Sequence, residues 1–304
     1  MAAERQHVVA AVCSFNGKED TLRCVASLAE QDHEQLTTLV VDNRSTDGTV
    51  EAVRERFPHV QVLEMDENRG VAGAYHAGLA RALELGADYG MVLNNDMWFA
   101  PDMVSALVAE ARRRPDLGAA SPLIYFAEPP DVVWYAGSDW SPRLPYNGTM
   151  TGMLEPDRGQ YATAQRTGTL TGAIILATRD AIERTGGGPD PSFFYLFCDV
   201  DWSLRLRRAG LGVYFVPAAK AWHRVSAAHG EYSPNVSYYG TRNNLEVIAR
   251  HAGRTGPRAG LRQLATVGVH LFHARRGGEP VANARSVLTG WRDFRAGKLG
   301  KRDG

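Results

Sequence analysis

A chain of 304 residues has room for one large α/β domain with an appendage, or for two small domains. Its apolar fraction of 44% and charged fraction of 22% are those of a globular protein, not of a disordered or fibrous one. Acidic and basic residues balance at 34 each, which excludes a general nucleic-acid binder. The balance is uneven along the chain: from Arg254 onward basic residues far outnumber Glu279, Asp293 and Asp303. Cys13, Cys24 and Cys198 lack the C-x-x-C spacing of zinc or redox sites and read as buried hydrophobes in a reducing compartment. Met1 to His7 is too polar for a secretory leader, and no apolar run approaches the roughly 20 residues of a spanning helix. The expected location is the cytoplasm.

The first hundred residues alternate strand and helix. Val8 to Val12 is a continuous apolar run, as in a parallel strand buried on both faces, and it ends in Ser14-Phe15-Asn16-Gly17. A helix follows with Leu22, Val25, Leu28 and Ala29 on one stripe. Leu39-Val40-Val41 is a second strand, closing on Asp42-Asn43-Arg44-Ser45-Thr46-Asp47-Gly48, where Ser45, Thr46 or Asp47 can cap a helix bearing Val50, Val53 and Phe57. Val60 to Met65 is a third strand. Asn68-Arg69-Gly70 then opens a helix that stops at Gly86. Met91 to Asp96 is the fourth strand, and it ends in three polar residues, Asn94, Asn95 and Asp96. Four such alternations imply right-handed βαβ units and a parallel sheet.

The remainder is less regular. Pro101 and Asp102 start a helix that ends before Pro115. The stretch from Tyr125 through Trp134, Gly137 and Trp140 to Tyr161, rich in Pro, Gly and aromatics, is too long for a simple connection. It reads as a functional loop region or a β-structured insert. Thr171 to Leu176 is another buried strand. Phe193 to Phe197 runs into Cys198-Asp199-Val200-Asp201, which opens a helix to Gly210. Val213 to Val216 is a strand that Pro217 is expected to break, and a short extended piece ends at Trp222-His223. Tyr238 opens a helix to about His251. The basic tail after Arg254 reads as helical, with apolar positions at Leu261, Leu264, Val267, Val269 and Leu271.

Several of these polar clusters carry their own chemical logic. Ligands of open α/β sheets sit outside the carboxyl ends of the strands. A carboxylate there, such as Asp96, suits a divalent cation holding phosphate oxygens. Asp42, at another strand end, can accept the imide N–H of uracil or thymine, and guanine's N–H groups would also satisfy it. The helix start at Asn68-Arg69-Gly70 suits a phosphate or ribose, although Gly70 and Gly73 serve equally well as close-packing positions. The glycine spacing is not that of a dinucleotide site, which disfavours hydride transfer.

In sequence order, Ser14-Phe15-Asn16-Gly17, Val41-Asp42-Asn43-Arg44-Ser45-Thr46-Asp47-Gly48-Thr49, Asn68-Arg69-Gly70-Val71-Ala72-Gly73, Leu93-Asn94-Asn95-Asp96, and Asp199-Val200-Asp201 with Arg205 resemble the motifs of family 2 glycosyltransferases. The resemblance covers roughly residues 7 to 250. Trp134, Gly137, Trp222-His223, Arg242-Asn243 and Gly290-Trp291-Arg292-Asp293-Phe294 are similar to the rhamnosyltransferase branch. The resemblance implies the GT-A fold: a Rossmann-like, mostly parallel sheet with helices on both faces, here with a C-terminal helical tail. It divides the chain into a glycosyltransferase domain, 1–250, and a basic helical extension, 251–304. The domain splits into a nucleotide-binding half, 7–100, and an acceptor half, 101–250.

The implied reaction is inverting transfer of one sugar from a nucleotide-diphosphate donor to a hydroxyl of a glycan, lipid-linked or small-molecule acceptor. L-rhamnose from dTDP-rhamnose is favoured, or a UDP-sugar. Ser14, Asn16, Asp42, Arg69, Gly70, Asn94 and Asn95 are expected at the nucleotide. Asp96 and His223 are expected at a Mg2+ or Mn2+ ion, although the family's first metal-motif acid is here Asn94. Asp199 is the expected general base. The acid that usually precedes it is here Cys198, and this loss of a neighbouring charge, with the helix N-terminus, is expected to lower the Asp199 pKa. Asp201 is expected to pair with Arg205 at helical spacing, while Trp134, Arg242 and Asn243 support the acceptor side. Further partners are an anionic membrane surface, met peripherally through the basic tail, and a second copy of the chain. Two rivals are a sugar nucleotidyltransferase, whose glycine-rich pyrophosphate loop is missing after the first strand, and a degenerate transferase that only binds nucleotide.

Overall fold

The computed structural model describes residues 6–143, 149–225, 233–276 and 278–302. The expected absence of a leader rests mostly on Met1 to Arg5, and one of the tail's acids is Asp303; both lie outside the described residues. The first half is built from β1 (Val8–Ser14), α1 (Lys18–Ala29), β2 (Leu36–Asp42), α2 (Thr49–Arg56), β3 (Gln61–Glu64), α3 (Gly70–Glu84) and β4 (Tyr89–Asn94). Then come β5 (Met97–Phe99), α4 (Met103–Arg113), β6 (Leu117–Phe126), β7 (Val133–Tyr135), β8 (Ser138–Asp139), β9 (Thr149–Met150) and β10 (Gln165–Arg166). The chain continues through β11 (Ile174–Thr178), α5 (Arg179–Arg184), a 3-10 turn (Pro191–Phe193), α6 (Cys198–Arg208) and β12 (Gly212–His223). It closes with α7 (Pro234–Ala252), α8 (Pro257–Ala274) and α9 (Pro280–Arg295).

The main sheet runs β10-β12-β6-β11-β4-β1-β2-β3, with β5 on β12 and β7 on β6. Its nucleotide side, β4-β1-β2-β3, is parallel throughout, as the alternating pattern requires. Antiparallel β11 is wedged between β4 and β6, and beyond it β6 and β12 are again parallel. Val8, Val9, Ala10 and Val12 of β1 are wholly buried because helices cover both faces. Val25 and Leu28 of α1 and Leu107 of α4 lie in the core on one side, Leu79 of α3 and Leu206 of α6 in that on the other.

Two features depart from the sequence reading. β6 has no strong β signature, since Gly118, Ala119, Ala120, Ser121 and Pro122 occupy its first half. Pro122 stands opposite Val216 of β12 at the last position before that ladder's register shift, and on its other side β11 pairs only at Ala119 and Ala120 and β7 only from Ile124, so the proline sits where the pairing is interrupted. Pro217 does not break β12. It lies in a register shift between Val216 and Lys220, a bulge that bends the strand and lets it continue to His223. The aromatic stretch after Tyr125 is partly loop and partly the small β7, β8 and β9 ladders.

α7, α8 and α9 share a core of Leu245, Ala249, Val267, Ala274, Val287 and Phe294. The expected boundary at 250/251 thus falls in the last turn of α7. Of the tail's apolar positions, Val267 points into this core, whereas Leu261 and Leu264 are exposed together with Phe272, Val281 and Leu288. No helix among the described residues is long and apolar enough to cross a membrane.

Candidate active site

The carboxyl ends of β1, β2 and β4 share one edge of the sheet, because Ser14 aligns with Asp42 and Cys13 with Asn94. β11 begins at that edge, with Ile174 opposite Leu93. The polar residues that end these strands are therefore brought together.

Asp42 is 2% exposed. Its Oδ2 accepts from the Ser45 N–H at 2.8 Å, whereas Oδ1 is buried without a hydrogen-bond partner. A buried carboxylate oxygen left unpaired is costly, and an N–H donor from a ligand relieves that cost. Asn43 beside it ties β2 to the start of α3, donating to the Gly70 carbonyl at 3.1 Å and accepting from the Arg69 N–H at 3.2 Å. Asn16, at φ 48°, accepts from the Thr46 N–H at 2.8 Å, which clasps the loops after β1 and β2. Asp47 braces the same junction through the N–H groups of Lys18 and Thr49.

Ser14, Arg69, Gly70 and Asn95, all expected at the nucleotide, have bonds that, like those of Asn16, hold the protein's own loops. The Ser14 hydroxyl is wholly buried against that of Thr21 at 2.8 Å, and Asn95 donates to Thr21 at 2.9 Å and to the Gly17 carbonyl. The N–H groups at the start of α3 are likewise engaged: Gly70 donates to Asn68 Oδ1 at 2.8 Å and Ala72 to the Phe194 carbonyl at 3.2 Å. Gly70 itself sits at φ 68°, and a Cβ there would lie 2.1 Å from the Phe194 oxygen, so close approach of two loops explains this glycine. The Arg69 guanidinium is on the surface, paired with both oxygens of Asp66.

Asp96 lies in the tight β4–β5 connection. The bend at Pro217 lets β12 reach β5 in a register that sets His223 opposite Met97, one residue beyond Asp96. The His223 Nε2 is 3.1 Å from Asp96 Oδ1, its Nδ1 is buried without a hydrogen-bond partner, and the Trp134 ring packs edge-on at 4.6 Å. A separation of 3.1 Å matches two neighbouring donors of an octahedral shell with bonds of about 2.1 Å, whose edge is roughly 3.0 Å. The pair therefore fits a small divalent cation. No group of three or more His, Cys, Asp or Glu that could hold a metal occurs among the described residues.

Asn94 connects this side to the opposite wall. Its Oδ1 is 2.7 Å from the Tyr75 hydroxyl, which is also 2.6 Å from the Gly172 carbonyl. The Gly172 N–H donates to Asp199 Oδ2 at 2.6 Å, and the Val200 N–H donates to Asp199 Oδ1 at 2.9 Å. Asp199 is only partly covered, yet it lies deep enough for desolvation to dominate. Burial raises its pKa, and the backbone N–H groups of Val200 and Gly172 only partly offset this. The expected lowering is thus overturned: replacing an acid by Cys198 removed one raising influence but left a larger one, the low-polarity surroundings. Tyr75 was not singled out by the sequence reading. Burial raises its pKa well above the usual value, and the charges of Asp96 and Asp199 add to this, so the phenol stays protonated between the two acids.

The loop before α6 is strained. Phe194, Leu196 and Phe197 all have positive φ, and each such non-glycine residue costs about 1–2 kcal/mol. Asn243 compensates from α7, its Nδ2 within hydrogen-bond reach of the carbonyls of Phe193, Tyr195 and Leu196. Arg242, also wholly buried, donates to the Phe193 carbonyl at 3.1 Å. Both residues therefore support the loop. Asp201 is wholly buried too, bonded to Arg205 at 2.8 Å and to His251 at 3.0 Å, and anchors α6 to α7.

The family model for glycosyl transferase family 2 matches residues 10–184. A curated relative, the N-acetylglucosaminyl-diphospho-decaprenol L-rhamnosyltransferase of Mycobacterium tuberculosis, is 30% identical over 252 residues, 76% of this chain and 80% of the relative. Among solved structures, the mannosyltransferase PcManGT from Pyrobaculum calidifontis, in complex with GDP-Man and Mn2+, superposes with a TM-score of 0.58 at 19% identity, covering 97% of this chain and 84% of that one. GalNAc-T7 with UDP, GalNAc and Mn2+ superposes with a TM-score of 0.60 at 15% identity, covering 88% of this chain and 55% of that one. These two likenesses establish the GT-A fold. The chain belongs to glycosyl transferase family 2 and is a glycosyltransferase of the rhamnosyltransferase-like kind.

Proposed function

We propose that the protein transfers L-rhamnose from dTDP-rhamnose, with inversion, to a hydroxyl of a lipid-linked acceptor, and that a UDP-sugar is the second choice of donor. The observation that carries this reading is the unpaired, buried Oδ1 of Asp42 at the same sheet edge as the Asp96–His223 pair. Asp42 accepts the imide N–H of the base. Asp96 and His223 hold Mg2+ or Mn2+, which when bound neutralises the diphosphate charge that grows as the sugar leaves. Asp199 takes the proton of the acceptor hydroxyl as its oxygen bonds to the anomeric carbon and the nucleoside diphosphate departs. A raised pKa makes this carboxylate a better proton acceptor than an ordinary aspartate. The preference for rhamnose and a lipid-linked acceptor draws on the activity named for the mycobacterial relative.

In this reading residues 7–100 bind the donor, 101–250 the acceptor, and 251–304 meet the cytoplasmic face of a membrane. Support for the last comes from Leu261, Leu264 and Phe272, exposed on α8 at spacings that share one face, with exposed Arg258, Arg275 and Arg276 nearby in sequence. Replacing Leu261, Leu264 and Phe272 together by Ser should reduce co-sedimentation with phosphatidylglycerol vesicles at least tenfold. Unchanged sedimentation would remove the membrane from this account.

Thermal unfolding with dTDP, UDP, GDP and CDP, each with Mn2+ or with chelator, tests the donor assignment. A nucleotide at a hundred times its dissociation constant adds roughly 2.7 kcal/mol of stability. dTDP or UDP with Mn2+ should give the largest rise. The assignment fails if no nucleotide shifts the transition.

A further inference from the structure

The segment after α9, residues 298–302, returns to the strained loop in front of Asp199. α9 ends at Arg295, and past Gly297, at φ 69°, the Lys298 N–H closes on the Asp293 carbonyl at 2.9 Å. Gly300, at φ 83°, then turns the backbone so that it meets the loop twice. Its N–H donates to the Ser192 carbonyl at 2.6 Å, and its carbonyl accepts from Arg242 Nη1 at 2.7 Å. Arg242 also donates to Phe193, so one buried guanidinium joins the tail to the loop. Two residues on, the Arg302 N–H donates to the Tyr239 hydroxyl at 2.8 Å, and its guanidinium lies 4.7 Å over the Tyr238 ring. Tyr239 in turn stacks on Phe194 at 5.3 Å and meets Tyr195 edge-on at 6.0 Å.

The loop has good reason to need this support. Phe194 (φ 63°, ψ −57°) is the centre of a γ-turn, closed by the Tyr195 N–H on the Phe193 carbonyl at 2.7 Å, a conformation that relaxes unless held. Phe197, also at positive φ, is the residue from which α6 departs, and Asp199 stands in the first turn of that helix. A loop that relaxed would move the carboxylate away from the Gly172 N–H while leaving Asp42, on β2, where it is.

We propose that residues 298–302 form a latch that positions Asp199, acting through Arg242, Tyr239 and the 192–197 loop. They are positioning residues, since none is in contact with Asp199. The kinetic part of the proposal rests on Asp199 being the general base; the mechanical part does not.

The test compares the full chain with a variant ending at Gly297. Hydrogen–deuterium exchange of amides 193–197 should rise at least tenfold, while β1 and β2 keep their protection. In parallel, kcat with dTDP-rhamnose or a UDP-sugar should fall at least thirtyfold, with donor KM and dTDP affinity within twofold of the full chain. Should the shortened chain not fold, Arg302→Ala in the intact protein is read the same way, with smaller changes in the same direction and recovery in Arg302→Lys. Wild-type exchange at 193–197 in the variant that folds overturns the latch, and raised exchange with wild-type kcat overturns its kinetic part. A full chain that binds no nucleotide, yet shows the contrast in exchange, would instead refute the donor assignment and leave the mechanical link standing.

Discussion

Asp199→Asn is expected to lower sugar transfer by about 10²–10⁴-fold, the range typical for loss of a general base, while dTDP or UDP binds as before. The amide has almost the carboxylate's shape, so the wall formed by Gly172, Tyr75 and Val200 stays in place. Asp199 accepts two backbone hydrogen bonds, one on each oxygen, and the asparagine nitrogen can accept neither. The variant therefore also loses about 1–3 kcal/mol of stability, which urea unfolding would register separately from turnover. The pH profile supplies a second check. A base works only when ionised, and burial holds this acid's pKa above the ordinary carboxylate value. Wild-type kcat should consequently fall as pH drops through that raised pKa, with an acid limb at higher pH than a surface aspartate would give. The asparagine variant should lose that limb. Turnover near the wild-type rate would show that another group takes the proton.

The second large effect is expected at Asp96. Asp96→Asn should reduce turnover by about 10²-fold or more, since a metal's charge stabilisation is worth several kcal/mol. It should also abolish most of the difference in dTDP affinity between Mn2+ and chelator. An amide keeps an oxygen for His223 to face but carries no charge to hold the cation against water. His223→Ala should act in the same direction with a smaller loss, because it removes a neutral donor. Titration calorimetry of dTDP with and without Mn2+ separates this from a folding defect. If Asp96→Asn keeps the wild-type metal dependence of binding, the cation is held elsewhere.

Much of the donor side was legible in the chain. β1, β2 and β4 carry apolar runs that end in polar turn residues, so local pattern and tertiary fold agree there, although α2 starts from Gly48 without the side-chain cap expected of Ser45, Thr46 or Asp47. The second half was harder because its strands depend on partners. β6 is a strand although its first half is Gly, Ala, Ser and Pro, and β12 passes Pro217 because a bulge absorbs it. That bulge decides where His223 lands, so the Asp96–His223 pair follows from a feature no local pattern announces. The Asp199 pKa failed for a related reason: neighbours in sequence are visible to a reader, but burial is a property of the assembled walls. Arg242 and Asn243 were expected to support the acceptor side, and only their complete burial against the 193–197 loop shows what they hold.

The Tyr75 hydroxyl has one proton and two acceptors within reach, the Asn94 Oδ1 and the Gly172 carbonyl. It can give that proton fully to only one of them at a time. Under the proposed function, a cation or phosphate that drew the Asn94 side chain toward itself would leave the phenol its bond to Gly172. When the site empties, Asn94 can return to the same hydroxyl. Tyr75 thus keeps an acceptor whichever way the half-buried side chain at the end of β4 turns.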